Sequence, residues 1–264
     1  FMEISFKKYE ATGNDFIMLD DRDGFFDANN HKLVACLCNR KTGIGADGLI
    51  LLRNHSEYDF EMIYFNSDGN ISSMCGNGGR CIVGFAKYLG IIDDKCTFLA
   101  ADGIHSANIS DNKVSLSMNN VSSIESLGNK VFILDTGSPH YVTIVDDVRK
   151  VNVTKEGAMI RNSKRFIEEG INVNFLQIAD CPIIRSYERG VENETLSCGT
   201  GTVACAIVSH KINGNNSEDG TAFVQKVITQ GGDLEVKFIV KNNIYTDIYL
   251  DGSFNLVFSG SVIC

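Results

Sequence analysis

The chain lacks tryptophan, has only two prolines, and has no run approaching the ~20 apolar residues of a membrane span. With 25 glycines beside those two prolines, it has tight turns rather than a Pro-rich linker. Positive charge is in deficit: 24 Lys and Arg stand against 33 Asp and Glu, a net charge of −9 with no basic stripe. That balance excludes nucleic acid and anionic membrane as expected partners. No secretory signal is visible, and Phe1 ahead of Met2 reads as an appended residue. The nine cysteines make an odd count and form no CxxC pair. This speaks against zinc, thioredoxin-like redox chemistry and a small disulfide scaffold, and for a reducing cytoplasm.

What is present is an ordinary globular composition. The 264 residues, 44% hydrophobic and 22% charged, suit one large domain or two of about 130 residues. The chain is organised around a short motif that occurs twice. Cys75-Gly76-Asn77-Gly78 and Cys198-Gly199-Thr200-Gly201 lie 123 positions apart, and each opens onto a helical pattern. Ile82, Val83, Phe85, Ala86 and Leu89 follow the first, with Gly90 as a stop; Val203 to Val208 follow the second, ending near Asn213-Gly214. A helix start has unpaired N–H groups and a positive dipole end, which binds anions and lowers a thiol's pKa. Two such starts imply one anionic ligand held between two activated thiols.

The rest of the chain repeats around that pair. A strand, the turn Thr12-Gly13-Asn14 and a second strand fill residues 3–20; Val131 to Leu134, the turn Thr136-Gly137-Ser138-Pro139-His140 and Tyr141 to Val145 match them. A short helix carrying Leu33, Val34 and Leu37 corresponds to one over Val153 to Arg161. Glu169-Gly170-Ile171-Asn172 takes the place of Ile44-Gly45-Ala46-Asp47. Strands Gly48 to Leu52 and Tyr58 to Phe65 lead through Asn66 to Cys75, as Val173 to Ile178 and Ile183 to Tyr187 lead through Glu188-Arg189 to Cys198. Further short strands are expected at Cys96 to Leu99, Ile104 to Ile109 and Lys113 to Met118, the last two joined by an Asp111-Asn112 hairpin. An internal duplication accounts for this order, with its crossing near residues 118–120 and a last strand at 255–262 returning to the first half.

A single cysteine before a helix is by default a small buried hydrophobe. The duplication makes a paired active-site role the better reading for Cys75 and Cys198. Cys36-Leu37-Cys38 fits a buried helix face, and Cys81, Cys96, Cys181, Cys205 and Cys264 read as structural. Gly199-Thr200-Gly201-Thr202-Val203-Ala204 also fits a dinucleotide fingerprint, with Glu218 and Asp219 as the acidic partners, but no buried strand precedes it. The polar candidates Asn14, Asn66, Asn77, Ser138, His140, Asn172, Glu188, Arg189 and Thr200 sit in turns around the two helix starts. His31, His55, His105 and His210 have no such context and read as surface residues.

At these residues the chain resembles the diaminopimelate epimerase family over nearly its whole length. The likeness rests on Ala11-Thr12-Gly13-Asn14-Asp15-Phe16, Gly43 to Gly48, Asn66 to Gly69, Met74 to Gly78, Gly137 to His140, Gly170 to Phe175, Tyr187 to Gly190 and Cys198 to Gly201. It implies an α+β fold of two similar domains related by pseudo-two-fold symmetry, each a rolled mixed sheet around a central helix. The expected domains are residues 1–118 with 253–264, carrying Cys75, and residues 119–252, carrying Cys198. It implies a cytoplasmic homodimer that needs no cofactor or metal and acts on diaminopimelate in lysine and peptidoglycan precursor synthesis. Cys75 and Cys198 would be thiolate and thiol on opposite faces of the substrate α-carbon, with His140 assisting the first and Glu188 the second. Gly76, Asn77, Gly199 and Thr200 would hold the reacting carboxylate, and Asn14, Asn66, Asn172 and Arg189 the other groups. Ser138 stands where many members have Asn, and Gly48 where some have Gln. The alternatives are a proline or hydroxyproline racemase of similar fold, a dinucleotide-binding protein, or a non-enzymatic thiol-rich metal binder.

Overall fold

The computed structural model describes residues 3–213 and 220–264. Phe1, Gly214 and the acidic pair Glu218 and Asp219 lie outside the described residues. The chain forms two compact units, Phe1–Leu116 with Ser253–Cys264, and Ser117–Gly252.

In the first unit, β1 (Glu3–Ala11) alternates inward Ile4 and Phe6 with exposed Glu3 and Ser5, as period-two patterning requires. Thr12 and Gly13 both take positive φ, +48° and +82°, the conformation of the tight two-residue hairpin that turns the chain into β2 (Asn14–Asp20). Helix α1 (His31–Cys38) is capped by the Asn30 side chain accepting from Leu33 N–H at 3.1 Å, and buries Val34, Leu37 and Cys38. Cys36 is exposed on its outer side, so Leu37 and Cys38, but not Cys36, pack inward. Strand β3 (Gly48–Arg53) is buried from Gly48 to Leu52, covered on both faces. It pairs parallel with β2 and antiparallel with β4 (Phe60–Asn66).

Helix α2 (Gly76–Tyr88) follows, then β5 (Lys95–Ala100), β6 (Gly103–Ser110) and β7 (Lys113–Ser117), paired in order. Every residue of α2 from Gly76 to Ala86 is buried. A helix buried all round lies inside its sheet. It packs against β1, β2 and β3, which pair in succession, and against β6, which is reached from β3 through β4 and β5, so the sheet rolls around it. Each fully buried side chain such as Ile82 or Phe85 contributes about 1.5–3 kcal/mol through removal from water.

The second unit repeats the plan. Strands β8 (Ile124–Leu127), β9 (Val131–Asp135) and β10 (Pro139–Ile144) pair antiparallel in that order, and β10 pairs parallel with β11 (Asn172–Gln177) through α3 (Val153–Arg161). Antiparallel to β11 runs β12 (Ile183–Glu188), flanked by the short β13 (Asn193–Thr195). Helix α4 (Gly199–Ile212) is buried from Gly199 to Ser209 and packs against β9, β10, β11 and β12. Strands β14 (Ala222–Thr229), β15 (Gly232–Lys241) and β16 (Ile244–Ser253) complete the unit. The last strand, β17 (Asn255–Ile263), pairs antiparallel with β1, Glu3 opposite Ile263. No helix among the described residues is long and apolar enough to cross a membrane.

The registers align the two units residue by residue. Phe16 pairs with Gly48 as His140 pairs with Asn172. A Cβ on Gly78 would meet the Ile50 side chain, and one on Gly201 would meet that of Asn174. Gly48 therefore corresponds to Asn172 and Ile50 to Asn174. The motif match that set Asp47 beside Asn172 is corrected by one residue, because strand pairing rather than the glycine turn defines the correspondence.

Candidate active site

Each buried helix begins on a cysteine. Cys75 (φ −117°, ψ 118°) and Cys198 (φ −118°, ψ 113°) are the N-caps of α2 and α4. The Cys75 sulfur accepts the Gly78 N–H at 3.5 Å, and the Cys198 sulfur accepts the Gly201 N–H at 3.4 Å. Ser, Thr, Asp and Asn usually supply this acceptor. A sulfur there meets N–H donors and the positive end of the helix dipole, both of which favour thiolate over thiol. Other cysteines sit differently. Burial pushes Cys38 and Cys96 up to about 12, and Cys81 and Cys205 well above the ordinary thiol range, so these stay protonated and inert.

Around Cys75 the polar side chains form one chain of contacts. Arg80 is fully buried and donates to Asn77 Oδ1 at 2.9 Å and to Thr12 Oγ1 at 3.1 Å. Asn77 Nδ2 donates to Asn14 Oδ1 at 3.2 Å, and Asn14 Nδ2 donates to Asp47 Oδ2 at 2.7 Å. A guanidinium can only donate and a carboxylate only accept, so both amides are oriented from the two ends. The Cys75 thiol donates to the Asn14 side-chain oxygen Oδ1 at 3.6 Å. Asp47 is held by Arg40 at 2.7 Å, and Arg40 also forks onto Asp15 at 2.6 and 2.9 Å. For Asp15 burial acts upward, but the hydrogen bonds from Arg40 and Lys8 together outweigh it and hold the carboxyl at about 2. Asn66 ends β4 opposite Gly48. A Cβ on Gly48 would stand 2.5 Å from both the Phe65 carbonyl oxygen and the Tyr64 ring, so Tyr64 occupies the space a longer side chain there would need.

The second unit holds two groups of hydrogen-bonded polar side chains. In one, Asn172 Nδ2 donates to Ser138 Oγ at 2.9 Å, its Oδ1 accepts the Arg189 N–H at 3.0 Å, and Arg189 reaches Ser138 Oγ at 3.4 Å. Arg189 is anchored by Glu169 O at 2.9 Å. In the other, Asn174 Nδ2 lies 2.9 Å from His140 Nδ1, and Ser186 Oγ donates to Asn174 Oδ1 at 2.8 Å. His140 is completely buried; burial, then the Arg189 cation, lowers it to about 3, so the ring is neutral. Glu188 accepts a short hydrogen bond from Thr195 Oγ1. Thr200 Oγ1 is 3.6 Å from the Cys198 sulfur, and Thr136 Oγ1 donates to Thr200 O at 2.9 Å, tying the start of α4 to the turn before β10.

Thus Asn14, Cys75, Gly76 and Asn77 come together in one unit, and Ser138, Asn172 and Arg189 in the other, with Cys198, Gly199 and Thr200 at its helix start. Arg80, Thr12, Asp47, Thr136, Asn174 and Ser186 support these groups and escape sequence reading. Arg80 has one signal, a cation within the apolar stripe of a buried helix; Asn174 has another, an amide in a strand of buried residues. Two histidines are placed differently from expectation. His105 is 2% exposed, stacked on Phe98 and 2.9 Å from Asp102, because β6 turns it inward; His210 is half-buried against Tyr245 and Phe223.

Comparison with known proteins places this arrangement. The family model described as diaminopimelate epimerase matches residues 6–124 and 132–256. A diaminopimelate epimerase of Flavobacterium psychrophilum is 50% identical over 258 residues, 97% of this chain and 98% of the relative. Among solved structures, a Bacillus anthracis phenazine biosynthesis protein of the PhzF family superposes with a TM-score of 0.80 over 100% of both chains at 12% identity. A hydroxyproline epimerase from Agrobacterium vitis does so with a TM-score of 0.69, covering 98% of this chain and 92% of that one at 13% identity. The two structures share the fold alone. Identity at half of the 258 aligned residues, with both Cys-Gly-Xaa-Gly helix starts inside the segments the family model matches, makes the chain a member of the diaminopimelate epimerase family of isomerases.

Proposed function

We propose that this chain interconverts L,L- and meso-diaminopimelate without a cofactor, by proton transfer between substrate and two cysteines. The observation that carries the reading is the matched pair of cysteine N-caps, each sulfur receiving the N–H of the third residue on. Inverting a stereocentre needs a base on one face of the α-carbon and an acid on the other. One thiolate removes the α-proton, and the other thiol delivers its own proton to the opposite face. The thiolate–thiol couple is left exchanged and serves the reverse direction, and the two thiols titrate as a coupled pair. The intermediate carbanion has no pyridoxal to delocalise it. Backbone N–H groups at Gly76, Asn77, Gly199 and Thr200 stabilise its carboxylate instead.

In this reading residues 1–118 with 253–264 form the half carrying Cys75, and residues 119–252 the half carrying Cys198. His140 assists Cys75, and Glu188 assists Cys198. Asn14, Asn66, Asn172 and Arg189 bind the distal amino and carboxylate groups, with Ser138 joining the last two. Arg189 and the asparagine set favour a long, doubly charged amino acid over proline. The setting is lysine and peptidoglycan precursor synthesis, in the cytoplasm, as a homodimer. Incubation with L,L- or meso-diaminopimelate in heavy water tests the reading. Deuterium should enter the α-position as the two isomers interconvert. Exchange into proline or hydroxyproline, with diaminopimelate inert, would replace it with the racemase reading.

A further inference from the structure

The two units differ at three corresponding places. Around the start of α2 stand Phe16, Ile50 and Tyr64, with Ile50 opposite Tyr64 in register. The corresponding residues near α4 are His140, Asn174 and Ser186, with Asn174 opposite Ser186. All three of the polar set are buried, at 0%, 0% and 2% exposure. The same strand plan carries apolar and aromatic groups in the first unit, so the fold does not require a polar cluster there. Burying one costs free energy unless its hydrogen bonds are made.

Those bonds fix how the ring stands. Asn174 Nδ2 faces the Tyr141 carbonyl oxygen at 3.5 Å as well as His140 Nδ1 at 2.9 Å. A backbone carbonyl can only accept, so this end of the amide carries the hydrogens and His140 Nδ1 receives one of them. Ser186 Oγ holds the other end through Oδ1 at 2.8 Å. An acceptor at Nδ1 puts the ring proton on Nε2. His140 Nε2 is buried and has no hydrogen-bond partner among the described residues.

We propose that Asn174, held by Ser186, is a positioning residue that locks His140 as the neutral Nε2–H tautomer, so that the ring donates a hydrogen bond to negative charge developing at the reacting centre rather than carrying a proton. The inference rests on the assignment of His140 to the reaction made above. Burial, followed by the Arg189 cation, keeps the ring uncharged through the physiological range, which suits a donor and not a proton carrier. A neutral donor at such a centre stabilises charge without adding a buried cation.

Nitrogen-15 NMR of the full-length enzyme, with His140→Gln identifying the His140 resonances among five histidines, tests it. The wild-type ring should be protonated at Nε2 and accept at Nδ1. Asn174→Leu should give a mixture of tautomers and lower kcat about 10²-fold, the scale of a lost donor at a reacting centre, with circular dichroism unchanged. Ser186→Ala, the milder variant should the first not fold, should give a minority Nδ1–H form and a smaller loss of kcat. A wild-type ring protonated at Nδ1 overturns the proposal whatever the variants do. A single Nε2–H tautomer with wild-type kcat in Asn174→Leu, or an unchanged spectrum and kcat in Ser186→Ala, overturns it as well. Full epimerase activity in His140→Gln, with the Nε2–H tautomer observed in wild type, removes His140 from the reaction while leaving its hydrogen bonding as described.

Discussion

A Cβ placed on Gly201 would run into the side-chain oxygen of Asn174 and stop 3.2 Å from the Cys198 sulfur. At the matching place, a Cβ on Gly78 would meet Ile50 Cδ1 at 2.9 Å and Met62 Cε at 3.3 Å. The first neighbour is an amide held by hydrogen bonds to His140 and Ser186; the second pair are ends of flexible apolar chains. Gly201→Ala should therefore cost about 1–3 kcal/mol and Gly78→Ala less, since overpacking hurts most where neighbours cannot yield. Denaturant midpoints of the two variants compare them. Equal losses would mean that the Asn174 amide is not rigidly held.

Cys75→Ala and Cys198→Ala should each abolish epimerisation, because one face of the α-carbon then has no proton carrier. The helix cap is lost too, at about 1 kcal/mol, so folding must be checked beside rate. Substantial interconversion by either folded variant would refute the two-thiol mechanism. Cys→Ser at one site should retain partial exchange on the intact face.

Ser138 Oγ is shared by the Asn172 amide and the Arg189 guanidinium. Ser138→Ala leaves both donors short of one acceptor at a site only 6% exposed. A lost hydrogen bond of about 1 kcal/mol predicts KM raised roughly fivefold with kcat nearly unchanged. A selective fall in kcat would give Ser138 a part in the chemistry instead.

Gly48 offers no room for any side chain, with Phe65 O and the Tyr64 ring each 2.5 Å from a Cβ there. Gly48→Ala should destabilise by about 1–3 kcal/mol, and Gly48→Gln should not improve substrate binding. Thermal melts and KM values check both statements. Unchanged stability in Gly48→Ala would show that β3 and β4 can part at this pair.

His140 makes stability depend on acid. Its folded pKa, lowered to about 3 by burial and then by Arg189, lies below the ~6.5 of an unfolded histidine. The unfolded chain therefore binds the extra proton first. The contribution is complete above pH ~6.5 and is lost as pH falls from there toward 3, at about 1.4 kcal/mol per pH unit. His140→Gln should flatten that part of the stability–pH curve relative to wild type. Parallel curves for the two proteins between pH 6.5 and 4 would show that the ring is not buried neutral.

The features legible in the sequence are those that local chemistry decides. A cysteine before Gly-Xaa-Gly and an apolar helical run must cap that helix, since the orphan N–H groups lie within three residues of it. Both caps, α1, α3 and most strands before residue 190 follow from spacing and turn residues in the same way. Strands β14 to β16, long and alternating but without motif residues, formed outside that reading. The remaining decisions belong to strand pairing, which joins residues distant in the chain. Period-two patterning tells which residues share a face, but not which residue of which strand lies opposite. Only the register brings His140 to Asn174 and Asn174 to Ser186, matches Gly48 rather than Asp47 with Asn172, turns His105 inward, and spreads Tyr64 over Gly48. The capping thiols are a local consequence of sequence; the buried amide that meets His140 Nδ1 is a consequence of the sheet.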